Sequence, residues 1–177
     1  MFNAQKWIQQ TLTTVTQQTY PVEECIVVDD GSTDGSAPIV RRFVASTSVP
    51  IRLVQTANRG PSLALNTGIA ESKGELVAFL DADDLWNPQK LELQVRLLSD
   101  AGAVACLCGY EIFDEASGRA RGVVQTRDPP RAIMKWLAME GHGFTGSTAL
   151  FRREVVERLG GFDSVLGTGY DFGLFYR

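Results

Sequence analysis

Apolar residues recur along this chain in blocks that switch between helical and strand spacing. Ile8, Leu12 and Val15 fall four and three apart and predict an opening helix, which Tyr20-Pro21 ends. Residues 25–28 form a short β-rich run that stops at Asp29-Asp30-Gly31-Ser32, and Ile39, Val40, Phe43 and Val44 then mark one face of a second helix. Residues 51–54 read as another strand. Asn58-Arg59-Gly60-Pro61 turns the chain into a helix that carries Leu65 and Ile69 and ends near Gly74. Residues 76–80 are an uninterrupted apolar strand running into Asp81-Ala82-Asp83-Asp84. Asn87 then predicts an N-cap with Pro88 at the first helical position, and Leu91, Val95 and Leu98 supply that helix with its buried stripe.

The pattern changes after residue 103. Runs at 103–113 and 123–125 bracket a polar turn at 114–118, a hairpin signal. A helix at 131–139, a strand at 147–151 and a helix at 152–159 follow, with Gly160-Gly161 as the stop. Strands alternating with helices, each strand nearly all apolar, predict an α/β fold with a mainly parallel sheet covered on both faces. No short period repeats, which excludes a solenoid.

A length of 177 residues suits one domain, and 44% hydrophobic with 21% charged residues permits a packed core. The net charge of −4 and the lack of a basic stripe argue against a nucleic-acid partner. Apolar runs such as 103–108 are far shorter than the roughly 20 residues that cross a bilayer, so neither a transmembrane segment nor an export signal is expected. Cys25, Cys106 and Cys108 are odd in number and lie in apolar runs, which reads as reduced core thiols rather than a zinc site.

In open parallel sheets ligands bind beyond the carboxyl ends of the strands, and here two strands each release an acidic cluster at that end. Asp29, Asp30, Asp81, Asp83 and Asp84 are therefore expected to converge on one crevice. Carboxylates gathered this way repel one another, and a divalent cation relieves the repulsion. Mg²⁺ and Mn²⁺ take oxygen ligands, often only one or two of them protein carboxylates, and Asp81-x-Asp83 fits such an incomplete cage. Trp86, just past the acidic cluster, either lines an acceptor site or anchors the loop. His142, the only histidine, lies between two glycines and reads as a solvated turn residue.

Several of these segments together resemble one family. Tyr20-Pro21, residues 26–36 (Ile-Val-Val-Asp-Asp-Gly-Ser-Thr-Asp-Gly-Ser), Asn66-Thr67-Gly68, Gly74-Glu75 through Phe79-Leu80-Asp81-Ala82-Asp83-Asp84, and Gly160-Gly161-Phe162-Asp163 are similar to the family 2 glycosyltransferases of GT-A fold. The resemblance runs over residues 3–177. It implies a nucleotide-diphosphate sugar donor, with Asp30 on the nucleobase, Asp29 and Ser32 in the same loop, and Phe2 at the stacking position. It makes Asp81 and Asp83 the Asp-x-Asp that holds Mg²⁺ or Mn²⁺ and the diphosphate, with Asp83 the direct ligand and Asp84 a substitute.

The resemblance further implies inverting transfer to an acceptor hydroxyl, which needs a carboxylate opposite the leaving group to take the acceptor's proton. Asp171 matches the family's position for that base, although Tyr170 replaces the usual Glu and Gly173 the usual second Asp. Leu65 stands where relatives often carry Arg. A UDP-sugar donor is implied, with dTDP and GDP sugars left open. The acceptor is a glycan, a lipid-linked sugar or another hydroxyl compound, in cell-surface polysaccharide biosynthesis. The expected location is cytoplasmic, or peripheral at the inner face of a membrane.

Residues 1–177 read as one catalytic domain, with 1–100 the nucleotide-binding half and 101–177 an incomplete acceptor-side half. Against the family pattern the first apolar strand is expected to be missing, together with the remainder after Asp171. Three rival readings are a metal-dependent nucleotidyltransferase, a haloacid-dehalogenase-like phosphatase, and a truncated fragment that binds nucleotide without transferring sugar.

Overall fold

A computed structural model describes residues 1–125, 145–165, 173 and 174. Helix α1 (Ile8–Thr16) leads to strand β1 (Cys25–Asp29), α2 (Ser36–Val44), β2 (Ile51–Gln55), α3 (Pro61–Glu71), β3 (Leu76–Ala78) and α4 (Lys90–Asp100). Strands β4 (Ala105–Leu107), β5 (Tyr110–Phe113) and β6 (Ala120–Val124) follow. A short 3₁₀ turn (Gly146–Thr148) then opens onto β7 (Ala149–Arg152) and α5 (Arg153–Arg158). The expected helix at 131–139, His142 and Asp171 lie outside the described residues.

The α/β reading holds, but the sheet is mixed and comes in pieces. β1 pairs with β2 in parallel, Cys25 opposite Ile51 through Asp29 opposite Gln55. β7 lies between β3 and β4 and runs antiparallel to both. A strand buried on both faces is apolar throughout whichever way it runs, so its direction leaves no mark in the sequence.

The predicted run at 103–113 is two strands in two sheets. β4 joins β7, whereas β5 pairs with β6 in a separate hairpin. The chain divides at Gly109, where a Cβ would press on the Val124 carbonyl oxygen and where only a glycine lets the hairpin strands close. Helix α4 starts later than expected: Asn87 Oδ1 accepts from the Gln89 amide at 3.0 Å and its carbonyl from the Lys90 amide at 3.0 Å, closing a turn ahead of the helix.

Three apolar clusters hold these pieces. Ile8 and Leu12 of α1 pack with Val27, Val40 and Ile51, covering one face of β1 and β2. Ile69, Val77, Phe79, Ala149, Phe151, Val156, Phe162 and Leu174 form the second cluster. Leu91, Leu98 and Leu150 form the third, beneath α4. Arg153 of α5 closes the end of α3, donating to the Gly74 carbonyl at 2.6 Å, the Ile69 carbonyl at 3.0 Å and Ser72 Oγ at 2.7 Å.

Candidate donor and metal site

The acidic loop after β1 is built from its own carboxylates. Asp29 is fully buried: Oδ1 accepts from the Ser32 amide at 3.0 Å and Oδ2 from Gln55 Nε2 at 3.1 Å. Gly31 at φ +77° makes the turn between them, and a Cβ there would lie 2.8 Å from the Asn58 amide nitrogen. Asp30 accepts from Thr56 Oγ1 at 3.1 Å and from the amides of Arg59 at 3.0 Å and Gly60 at 2.8 Å, which fixes the β2–α3 loop against it. Ser32 Oγ accepts from the Asn3 amide at 2.9 Å, and Phe2 beside it is half exposed.

The second acidic loop is held from two directions. From α1, Thr11 Oγ1 donates to the Ala82 carbonyl at 2.9 Å, and Thr14 Oγ1 accepts from the Trp86 amide at 3.2 Å. From the other side of the chain, Ser147 Oγ accepts from the Asp81 amide at 2.9 Å, and the Ser147 carbonyl accepts from Trp86 Nε1 at 2.8 Å. The indole is thus an anchor for the loop, and the Lys90 ammonium stands 4.3 Å from its ring centroid. Burial raises the Asp84 carboxyl above the ordinary carboxylate range; a Ser147 hydrogen bond opposes the rise and the Asp83 charge adds to it. Asp83 itself is exposed.

The two loops meet on one cavity of about 990 Å³, bordered by Phe2, Asp30, Asn58, Asp81 and Asp83. The structure therefore brings Asp30, Asp81 and Asp83 to a common wall at the carboxyl ends of β1 and β3. Asp29 supports that wall from behind. Among the described residues no three His, Cys, Asp or Glu side chains stand close enough together to hold a metal ion. Asp81 and Asp83 nonetheless fit Mg²⁺ or Mn²⁺ chemically: they are hard oxygen donors of the small number such ions take when phosphate oxygens complete the shell.

Helix α3 and the Gly160-Gly161-Phe162-Asp163 segment clamp each other. Asn66 Nδ2 donates to the Phe162 carbonyl at 2.8 Å while its Oδ1 accepts from the Phe162 amide at 2.8 Å. Gly161, at φ +69°, lies so close that a Cβ would run into Asn66 Oδ1. Phe162 then stacks edge-on against Phe79, centroids 4.9 Å apart, two residues before Asp81. Ser147 and Thr11 were missed in the sequence. Thr11 had a signal, a hydroxyl in the buried stripe of α1, whereas nothing local marks Ser147.

The three thiols are free and partly buried. Burial pushes Cys25 up to about 11 and also raises Cys106 and Cys108. No helix among the described residues is long and apolar enough to cross a membrane.

The family described as Glycosyl transferase family 2 matches residues 1–160. An uncharacterized glycosyltransferase of Nostoc sp., alr2836, is 30% identical over 169 residues, 93% of this chain and 52% of its own. Glycosyltransferase AglE of Haloferax volcanii is 33% identical over 97% of this chain and 56% of its own. The chain spans about half the length of the curated relatives it matches. Among solved structures, the mannosyltransferase PcManGT of Pyrobaculum calidifontis, in complex with GDP-Man and Mn²⁺, superposes with a TM-score of 0.72 at 30% identity, covering 98% of this chain and 48% of that one. TarS of S. aureus in complex with UDP superposes with a TM-score of 0.73 at 21% identity, covering 97% and 50%, and shares the fold. With a GT-A-type fold and a family match over most of its length, the chain belongs to glycosyl transferase family 2.

Proposed function

We propose that this chain carries the donor site of an inverting glycosyltransferase, which moves a sugar from a nucleotide-diphosphate donor to an acceptor hydroxyl. The observation that carries the reading is the common cavity wall of Asp30, Asp81 and Asp83. Support comes from PcManGT, whose structure holds GDP-Man and Mn²⁺, and from TarS structures with UDP and UDP-GlcNAc.

Asp30 meets the base edge, and Phe2 offers its ring to the base face. Asp29 and Ser32 keep that loop in place. Asp83, with Asp81, would hold Mg²⁺ or Mn²⁺, which when bound would supply charge neutralisation for the departing diphosphate. Asp171 takes the proton from the acceptor hydroxyl as its oxygen bonds to the anomeric carbon and the carbon–phosphate oxygen bond breaks on the opposite face. The donor is a UDP-sugar; dTDP and GDP sugars present the same diphosphate.

The acceptor is a glycan or lipid-linked hydroxyl in cell-surface polysaccharide synthesis at the cytoplasmic side. One matched relative fits this setting, the putative teichuronic acid biosynthesis glycosyltransferase TuaG of Bacillus subtilis. Nucleotide binding without transfer is the second reading, favoured by the division of the sheet into pieces.

Calorimetric titration with UDP, with and without Mn²⁺, tests the site. Binding should need the metal, fall at least about tenfold with Asp83→Ala, since a lost charged contact is worth about 1.5–3 kcal/mol, and weaken with Asp30→Ala. No binding to a cooperatively folded chain would sink the reading. UDP binding with no sugar transfer or donor hydrolysis would favour the second.

A further inference from the structure

Beneath the acidic loop after β3, helix α4 opens with a buried cation. Lys90 is 8% exposed, and among the described residues no carboxylate pairs with it. Its compensation comes from dipoles: Nζ donates to Gln94 Oε1 at 2.7 Å and stands 4.3 Å from the centroid of the Trp86 ring. The titratable groups facing it are the thiols of Cys106 on β4 and Cys108 just past it, both raised by burial. Strand β7 offers α4 the apolar Leu150, and Glu92 of the same helix is exposed and accepts from Thr19 Oγ1 at 2.5 Å. Desolvating an ammonium costs free energy, and a methionine of similar length would fill the space without that cost.

The contacts around Lys90 close on themselves. Gln94, with Oε1 taken by the ammonium, turns Nε2 to the carbonyls of Cys106 at 3.1 Å and Thr148 at 2.8 Å. Thr148 follows Ser147, whose carbonyl accepts from Trp86 Nε1 at 2.8 Å. Lys90, against the face of that indole, completes the ring: Trp86, Ser147-Thr148, Gln94, Lys90 and back to Trp86. Ser147 Oγ leaves the ring to accept from the Asp81 amide at 2.9 Å. Both ends of the stretch 81–86, which carries the candidate metal ligands, are therefore pinned to one closed set of contacts, Asp81 through Ser147 and Trp86 through its indole. A neutral amine would still donate to Gln94 but would lose the attraction of a cation for the ring face.

We propose that Lys90 is a positioning residue of the donor site: its positive charge clamps the Trp86 ring and so fixes the stretch from Asp81 to Trp86 in the arrangement that receives metal and diphosphate. The inference rests on the donor-site reading. Burial pulls the Lys90 pKa down to about 8, so the charge is present at neutral pH and lost just above it. Below that value the clamp is closed and the desolvation cost of the ammonium is carried by the fold. Above it the clamp loosens and the cost disappears. Donor affinity and fold stability therefore move in opposite directions as pH rises, which a side chain acting by packing alone would not produce.

The test titrates the native chain, Lys90→Met and Lys90→Arg with UDP and Mg²⁺ at pH 7 and pH 9, comparing affinities at the same pH so that the titration of nucleotide and metal cancels. The native chain should bind about tenfold more tightly than Lys90→Met at pH 7 and less than about threefold more tightly at pH 9. Lys90→Arg, charged at both, should keep most of the advantage throughout. Equal binding by the native chain and Lys90→Met at pH 7, an advantage undiminished at pH 9, or a loss as large in Lys90→Arg as in Lys90→Met overturns the proposal. Where Lys90→Met does not fold, the native chain should lose at least about threefold in affinity relative to Lys90→Arg from pH 7 to pH 9, and no such loss overturns it. Amide exchange without nucleotide or metal supplies a separate reading: at pH 7 residues 81–86 should exchange about tenfold faster in Lys90→Met than in the native chain, with Cys25–Asp29 unchanged. Should the native chain bind no UDP, the donor-site reading falls, and equal exchange of residues 81–86 in the two chains would overturn this one as well.

Discussion

At the scale of single residues, the polar groups under the cavity carry more of the geometry than the carboxylates on its wall. Asn66 makes two hydrogen bonds to Phe162, and Asn66→Ala removes both. It should cost about 1–3 kcal/mol in urea unfolding, the usual net contribution of two such bonds. Ser147→Ala removes the acceptor of the Asp81 amide; UDP affinity measured with Mn²⁺ should fall about tenfold while the circular dichroism spectrum stays unchanged, consistent with a loss of about 1–1.5 kcal/mol. Lys90 is a different case. Nine-tenths buried, it donates to Gln94 Oε1 at 2.7 Å, and burial pulls its pKa down to about 8. Its folded value lies below the unfolded one, so the stability it contributes is present above the ordinary lysine range and is lost as pH falls through about 8. The unfolding free energy of the native chain relative to Lys90→Met should therefore rise between pH 7.5 and 10, and a flat difference would contradict the buried placement.

At the scale of elements, the hairpin β5–β6 is the part least supported by packing. Ile112, Phe113 and Val123 are exposed. Its tip reaches back to α1's approach through Glu115, which accepts from Lys6 Nζ at 2.8 Å and Trp7 Nε1 at 2.8 Å. Both partners of the ion pair are solvent-accessible, so Glu115→Gln should change global stability by less than about 1 kcal/mol. Hydrogen exchange in Tyr110–Phe113 should nonetheless accelerate, because that contact ties the hairpin tip to the N-terminal half. Gly109→Val, placed against the Val124 carbonyl, should loosen the same hairpin while leaving β4 on β7. Helix α4 shows how much of an element is local: its buried positions Leu91 and Leu98 follow from spacing, and its start two residues beyond Pro88 follows from the Asn87 turn.

At the scale of the whole molecule, the two acidic loops belong to separate pieces of sheet, and α1 bridges the gap between them. Thr11 and Thr14 grip the second loop from the helix that packs on β1, so a shift of α1 moves Asp81 and Asp83 relative to Asp30. Leu12→Ala, at a position 2% exposed, should cost about 2–5 kcal/mol in thermal or urea unfolding. Donor affinity should fall with it even where the chain remains folded, because the same helix sets the spacing of the two walls.

Much of this was legible in the residues alone. Apolar spacing determined α1, α2, α3 and α4 and the apolar strands, because a helix face or a buried strand needs only local periodicity. The acidic clusters were placed at strand ends by the same logic, and the ordered motifs pointed to the family. What the residues did not contain was the pairing. Strand direction, the division at Gly109 and the antiparallel seat of β7 all depend on which backbone meets which, and a hydrogen-bond ladder between distant segments uses groups every residue has. The same holds for the site. The carboxylates declared themselves by type and position, but only the tertiary structure separated Asp29, enclosed in its own turn, from Asp83, open to a ligand, because burial is a property of the assembled neighbours and not of the side chain.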